Sequence, residues 1–191
     1  MRRVGALPLL LLIALPACGG DDRQGSPALD RRLLAAAYAG DVGQARKLLE
    51  AGADPDAKDD TEQSAYLIAT SEVGDDPRLL ELTLEHGAAV DAKDSYNGTG
   101  LIRAAERGYV RIVRRLLEGD IEIDHVNRLG WTALLEAVIL GGGGPEHLEV
   151  VRLLVEAGAD VNIADRDGAT ALEHAERRGF TEIAATLRRG G

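Results

Sequence analysis

The sequence predicts an all-α fold: a solenoid of five stacked helix-turn-helix units joined by hairpin loops. Three observations point there. First, a tag returns at Gly52-Ala53-Asp54-Pro55-Asp56, Gly87-Ala88-Ala89-Val90-Asp91, Asp120-Ile121-Glu122-Ile123-Asp124 and Gly158-Ala159-Asp160-Val161-Asn162. Successive tags start 35, 33 and 38 residues apart, the period of units that cannot each bury an apolar face alone. Second, each interval holds two short runs with apolar residues at helical spacing. Third, only 3% of residues are aromatic, which suits a core layered from Ala, Leu, Val and Ile.

Residues 1–17 stand outside the repeats. Arg2 and Arg3 precede an apolar run from Leu7 to Leu15, broken only by Pro8. A short cationic flank and an apolar stretch of about 7–15 residues describe a secretory signal, and the run is too short to span a bilayer. Leu15-Pro16-Ala17-Cys18 follows, and Cys18 is the only cysteine, so no internal disulfide can form. This placement resembles a bacterial lipobox, which implies that the Cys18 thiol is acylated and becomes the new N-terminus. Under ordinary signal cleavage Cys18 would instead be a stray thiol. Residues 18–27 are polar and glycine-containing and read as a flexible, lipidated tether. By resemblance to lipoprotein sorting, Gly19 beside Cys18 points to the periplasmic face of the outer membrane rather than the inner membrane.

Losing residues 1–17 removes two arginines and no acid, so the net charge of −10 becomes −12. Such a surface repels nucleic-acid phosphates and anionic head groups alike. No nucleic-acid partner is expected, and membrane contact falls to the acyl chains alone.

From residue 28 onward the repeats follow in order: 28–58, 59–93, 94–126, 127–164 and 165–191. In the third, Leu101, Ala104 and Ala105 mark a first helix that Gly108 ends. Ile112, Val113, Leu116 and Leu117 share one face of the second helix. Small alanines let paired helices approach closely, and leucines fill the layer between repeats. The terminal copies look like caps, with Arg31 and Arg32 in the first and Arg188 in the last standing where inner copies are less polar. A monomer is expected. Two insertions break the period between helices, Ser71–Pro77 by two residues and Gly141–His147 by five. The second is read as a long glycine loop carrying His147; no Lys or Ser/Thr follows it at P-loop spacing.

These residues resemble the ankyrin repeat. The helix starts are Arg31-Arg32-Leu33-Leu34, Ser64-Ala65-Tyr66-Leu67, Thr99-Gly100-Leu101-Ile102, Thr132-Ala133-Leu134-Leu135 and Thr170-Ala171-Leu172-Glu173, each with a Gly-Ala-Asp-Val-Asn-like tail except the last. No copy keeps the proline or the histidine of the family's helix start. Asp94 to Pro145 also looks like a bacterial ankyrin subgroup carrying Asn-Gly-Thr-Gly and His-Val-Asn-Arg-Leu-Gly-Trp-Thr-Ala-Leu-Leu-Glu-Ala. The resemblance implies a non-catalytic protein-protein interaction module whose partners meet hairpin tips and first helices.

On that surface the candidate protein-binding residues are Tyr96, Glu106 and Arg107 in the third copy. The fourth gives Arg128, Leu129, Trp131, Ile139 and Leu140, and the fifth gives Arg177. The fourth copy is apolar where its neighbours are charged and holds the only tryptophan, the composition of a binding hot spot. Alternatively, Trp131, Ile139 and Leu140 pack beneath the glycine loop and anchor it. No metal, cofactor or catalytic residue is assigned. His86, His125, His147 and His174 include no i, i+4 pair, and Asn97-Gly98-Thr99 is read as a turn. The function expected is a protein-binding module anchored to the bacterial envelope. The alternatives are a periplasmic inhibitor or immunity protein for a toxin or enzyme, and a hydrolase using His147 or His174 with a nearby acid.

Overall fold

The computed structural model describes residues 26–191, so the signal, Cys18 and most of the tether lie outside the described residues. Among the described residues ten helices form five antiparallel pairs. They are α1 (Pro27–Tyr38) with α2 (Val42–Glu50), α3 (Ala65–Ser71) with α4 (Arg78–Glu85), and α5 (Gly100–Arg107) with α6 (Val110–Leu117). α7 (Ala133–Ile139) with α8 (Pro145–Glu156), and α9 (Ala171–Arg177) with α10 (Thr181–Gly190), complete the stack. No strand is formed among the described residues; two isolated bridges, Lys93 with Thr99 and Ala164 with Thr170, close hairpins. The expected all-α solenoid is the observed architecture.

The first helices form one row, α1 against α3, α3 against α5, α5 against α7 and α7 against α9. One residue type sets where four of them begin. Ser64, Thr99, Thr132 and Thr170 each sit in extended conformation and accept the backbone N–H three residues on, from Leu67, Ile102, Leu135 and Glu173. Each hydroxyl satisfies one of the donors a helix start leaves open, and Glu173 completes a capping box with Thr170. α1 differs. It opens at Pro27, one residue before the expected start of the first unit, and its N-cap Ser26 makes no side-chain bond. Proline suits the first helical position because the N–H it lacks would have had no partner.

Within each pair the chain reverses at a residue such as Gly108, whose φ of 70° ends α5 in the left-handed region. The core runs the length of the stack without interruption. Ala104, Ala105 and Ala137 are fully buried between helices, while Leu101, Ile112, Val113 and Val150 fill the space around them. Tyr66 is the largest fully buried side chain, and its hydroxyl donates to the Val90 carbonyl at 2.8 Å, satisfying the one polar atom burial would otherwise strand.

The five-residue insertion is only partly loop. α8 starts at Pro145, three residues ahead of Leu148, which matches Val110 of the third unit. His147 therefore belongs to the first turn of α8 and not to the loop, a correction that follows from Pro145 at the first helical position. The glycines are held, too. A Cβ on Gly141 would strike the Ala137 carbonyl, and Gly143, at φ 69°, lies against the Phe180 ring.

α6 takes its cap from the preceding repeat. Tyr109 offers no side-chain bond at its N-terminus; instead Asp75, in the α3–α4 loop, accepts from the backbone N–H groups of Arg111 and Ile112 at 3.0 and 2.9 Å. A carboxylate there meets both open donors and the positive end of the helix dipole. Asp75→Ala is expected to cost about 1–2 kcal/mol of unfolding free energy, and Asp75→Asn about half as much, measured by urea melts.

Candidate functional site

Each hairpin is built around one side chain that recurs with the repeat. Asp94 Oδ1 accepts from the N–H groups of Tyr96 and Gly98, both at 2.8 Å. Asn127 Oδ1 does the same for Leu129 and Trp131, at 2.9 and 3.1 Å. Asp165 Oδ1 does so for Asp167 and Ala169, at 3.0 and 2.9 Å, and Asp59 Oδ1 for Thr61 and Gln63. A side-chain oxygen thus bridges two amides and fixes the turn. In Asp94, Asn127 and Asp165 the remaining atom of the head group meets the following helix, whereas Asp59 Oδ2 accepts from the Tyr38 hydroxyl.

In the third unit Asp94 Oδ2 accepts from Arg103 Nη1 at 2.9 Å, and in the fifth Asp165 Oδ2 lies 2.6 Å from His174 Nε2. Both partners stand nine residues on. The Ala169 N–H and His174 hold the Asp165 carboxyl below the usual carboxylate range. The fourth unit inverts this polarity. Asn127 carries an amide nitrogen where the others carry an oxygen, so it donates, and its partner at the same spacing is the acid Glu136, at 2.8 Å.

Adjacent tips are laced together as well. The Arg128 N–H donates to the Tyr96 carbonyl at 2.8 Å and its Nη1 to the Ser95 carbonyl at 2.7 Å. Lys58 Nζ reaches the Lys93 carbonyl at 2.8 Å, and the Arg166 guanidinium reaches the Arg128 carbonyl. Asn97, at φ 59°, sits in the left-handed region, and His125 Nε2 lies 2.8 Å from its carbonyl. That position is the structural turn the sequence suggested.

Between the third and fourth hairpins these contacts leave a cleft of ≈ 250 Å³. Tyr96, Leu129, Leu140 and Ile102 line it with apolar surface, and Arg103, Glu106 and Glu136 supply charge. Tyr96, Leu129 and Leu140 are 60%, 41% and 50% exposed. The charged residues are sunk. The Arg103 side chain is 13% exposed and Glu136 is 4% exposed. Arg103 spans two repeats, donating also to Gln63 Oε1 at 2.8 Å and Ser71 Oγ at 2.6 Å, with Glu72 at 3.2 Å. Glu136 Oε2 is buried and has no partner.

The candidate residues divide into two groups. Tyr96, Glu106, Leu129 and Leu140 meet in this cleft. Arg128 is exposed, but its guanidinium is engaged in lacing the tips. Trp131 and Ile139 are half-buried, packed against the core, and do not line the cleft. Arg107 is exposed near Glu72, and Arg177 lies on the last unit, with Nη2 3.2 Å from His174 Nδ1. The groups that lie against the glycine loop are His147 at Gly141 and Phe180 at Gly143. Arg178, 4.7 Å above the Phe180 ring, donates to the Val138 carbonyl at 2.9 Å and also reaches that of Ile139.

Sequence reasoning missed Arg103, Asn127 and Glu136. A signal was there: Asp59, Asp94, Asn127 and Asp165 repeat at 35, 33 and 38 residues, and only Asn127 breaks the type. The two histidines named for hydrolysis lie apart in function. His147 Nε2 is 3.0 Å from the Glu106 carbonyl, and His174 is enclosed by Asp165 and Arg177. Among the described residues no group of three or more His, Cys, Asp or Glu is placed to hold a metal ion. No described helix is long and apolar enough to cross a membrane.

Burial pushes the pKa of Glu136 up to about 7, helped by Glu106 and Asp94 and opposed by the Asn127 amide. In the unfolded chain such a carboxyl titrates near ~4.3, so the folded protein holds the proton more tightly. This site therefore contributes most stability below the unfolded value and loses it as pH rises through 7. Relative to wild type, Glu136→Gln is expected to gain on the order of 2 kcal/mol between pH 5 and pH 8, read from urea melts at the two pH values.

The family model for ankyrin repeats, in three copies, matches residues 33–127, 66–165 and 101–190. The chain is 38% identical to the ankyrin repeat protein YahD of Escherichia coli (strain K12) over 167 residues, which covers 87% of this chain and 80% of YahD. It is similar to a solved ankyrin repeat domain from Acinetobacter baumannii AYE, with a TM-score of 0.78 and 46% identity, covering 83% of this chain and 80% of that one. A second solved ankyrin repeat protein aligns at a TM-score of 0.76 and 37% identity, covering 82% of this chain and 79% of its own. With five helix pairs and these likenesses over most of its length, the chain belongs to the ankyrin repeat family.

Proposed function

We propose that this protein is a non-catalytic binding module, held at the bacterial cell envelope through lipid on Cys18, and that the cleft between its third and fourth hairpins receives a protein partner. Ankyrin repeat domains are generally protein-protein interaction modules. The observation that carries the reading is the placement of Tyr96, Leu129 and Leu140. Three large apolar side chains stand out from the surface around one cleft, above charged groups that are mostly internally paired. Apolar side chains around a recess that water can leave have the makings of an interface hot spot. Rigid backing supports this use, because the Arg128 bonds to Ser95 and Tyr96 fix the tips before any partner arrives and so reduce the ordering cost of association.

The envelope address rests on the apolar run Leu7–Leu15 and on Cys18. Two or more acyl chains on one cysteine would give durable attachment, since each buried methylene contributes ~0.8 kcal/mol. The periplasmic face of the outer membrane is the leaflet that Gly19 favours.

The test places a photo-crosslinking residue at position 96 in intact cells, with capture through a C-terminal tag. A discrete cross-linked protein is expected, reduced at least ~10-fold by Leu140→Asp with the melting temperature held within ~2 °C. The same cross-linker at position 177 should give little. Equal capture from both positions would remove the cleft as the binding surface. Palmitate labelling that persists in Cys18→Ala would remove the lipid anchor.

A further inference from the structure

The acid on the cleft floor has no counterpart in the other repeats. At its structural position the second unit has Ile68, the third Arg103 and the fifth His174. Asn127 accounts for one carboxyl oxygen, at 2.8 Å, and leaves Oε2 buried without a partner. A buried acceptor with nothing to accept is costly. The charge around it makes matters worse, because Glu106 on α5 and Asp94 in the third hairpin both face it. Arg103 on α5 lines the same cleft, but its Nη1 and Nη2 bond Asp94, Gln63, Ser71 and Glu72, and its buried Nε makes no bond to Glu136. Oε2 of Glu136 thus receives no hydrogen bond from any group of the cleft.

We propose that the cleft takes the side chain of a lysine or arginine from a protein partner, with its aliphatic stem along Tyr96, Leu129 and Leu140 and its charge on Glu136. This rests on the cleft being the protein-binding surface, and it adds which residue of the partner is read there. Long basic side chains match such a recess, since their methylene stems accept apolar walls while the head keeps its charge. The Tyr96 ring, standing at the mouth, adds a cation-π contribution. A hydrogen bond between a cation and Oε2 would satisfy the orphan acceptor and favour the ionised carboxylate.

Ionisation must accompany binding, so affinity depends on pH. With the free carboxyl titrating near 7, the fraction ready to receive a cation rises about tenfold from pH 6 to pH 8. A proton is released to solvent as the complex forms. α8 carries His147 and α9 carries His174, so the Glu136→Gln variant is needed to isolate this carboxyl.

The experiment uses the protein and blocked five-residue peptides with lysine, arginine, norleucine or glutamate at the centre and leucine on either side. Binding is followed by the carboxyl carbon resonance of labelled Glu136. The lysine or arginine peptide is expected to lower the Glu136 midpoint by at least ~1 pH unit and to bind about tenfold more tightly at pH 8 than at pH 6. Norleucine should bind more weakly with no pH dependence, and Glu136→Gln should flatten the profile of the basic peptides. If norleucine matches lysine, the cleft binds partners by apolar contact alone: the inference falls while the proposed function stands. Failure of both basic peptides to move the Glu136 midpoint at millimolar concentration overturns it. Self-association abolished by Leu140→Asp would give the cleft to a second copy and overturn it as well.

Discussion

The hairpin side chain that grips two backbone amides is the contact on which the rest of this stack depends. Asp94, Asn127 and Asp165 each hold a tip closed with one atom and reach the following helix with another. Turn geometry and helix position are thereby tied through a single head group. Because the tips are fixed, the carbonyls of Ser95, Tyr96 and Arg128 face the next tip and can be laced to it. The helices alone, seven to twelve residues long, are too short to persist in water. They exist because each packs against its neighbours in the stack, and starts such as those of α5 and α7 are capped as well.

The inversion at the fourth unit shows how far a local exchange can propagate. An amide in place of a carboxylate turns an acceptor into a donor, and the helix must then offer an acceptor. Glutamate does so, but it brings a second oxygen that the repeat has no means to satisfy. Asp94 and Glu106 add repulsion to burial, and the carboxyl is pushed toward its neutral form. Departures of this kind from local consistency are expected where a surface serves something other than folding.

Much of the architecture was legible in the residues. The tag spacing, the apolar residues at helical spacing and the glycine at 108 are short-range signals, and the all-α solenoid they predict is the observed fold. The site was legible only in outline. Tyr96, Leu129 and Leu140 follow from the resemblance, which puts partners at hairpin tips and first helices, and all three are exposed. The half-buried seating of Trp131 and Ile139 could not, because it depends on tertiary packing that no local pattern encodes. His147 was read as loop because four glycines mask the proline that opens α8 one turn early. Arg128 looked free for binding, yet its partners are main-chain carbonyls, which carry no sequence signature. Glu136 hid among leucines at helical spacing, and only the hairpin register relates it to Arg103 and His174.

The lengthened α8 and its glycine lead have one further consequence. Phe180 fills the space beside Gly143, and Arg178 closes the open carbonyls at the end of α7. The fourth and fifth units are therefore keyed to each other, unlike interchangeable beads on a string. Shuffling by recombination, which lets such arrays grow or shrink between lineages, would have to move this pair as one block.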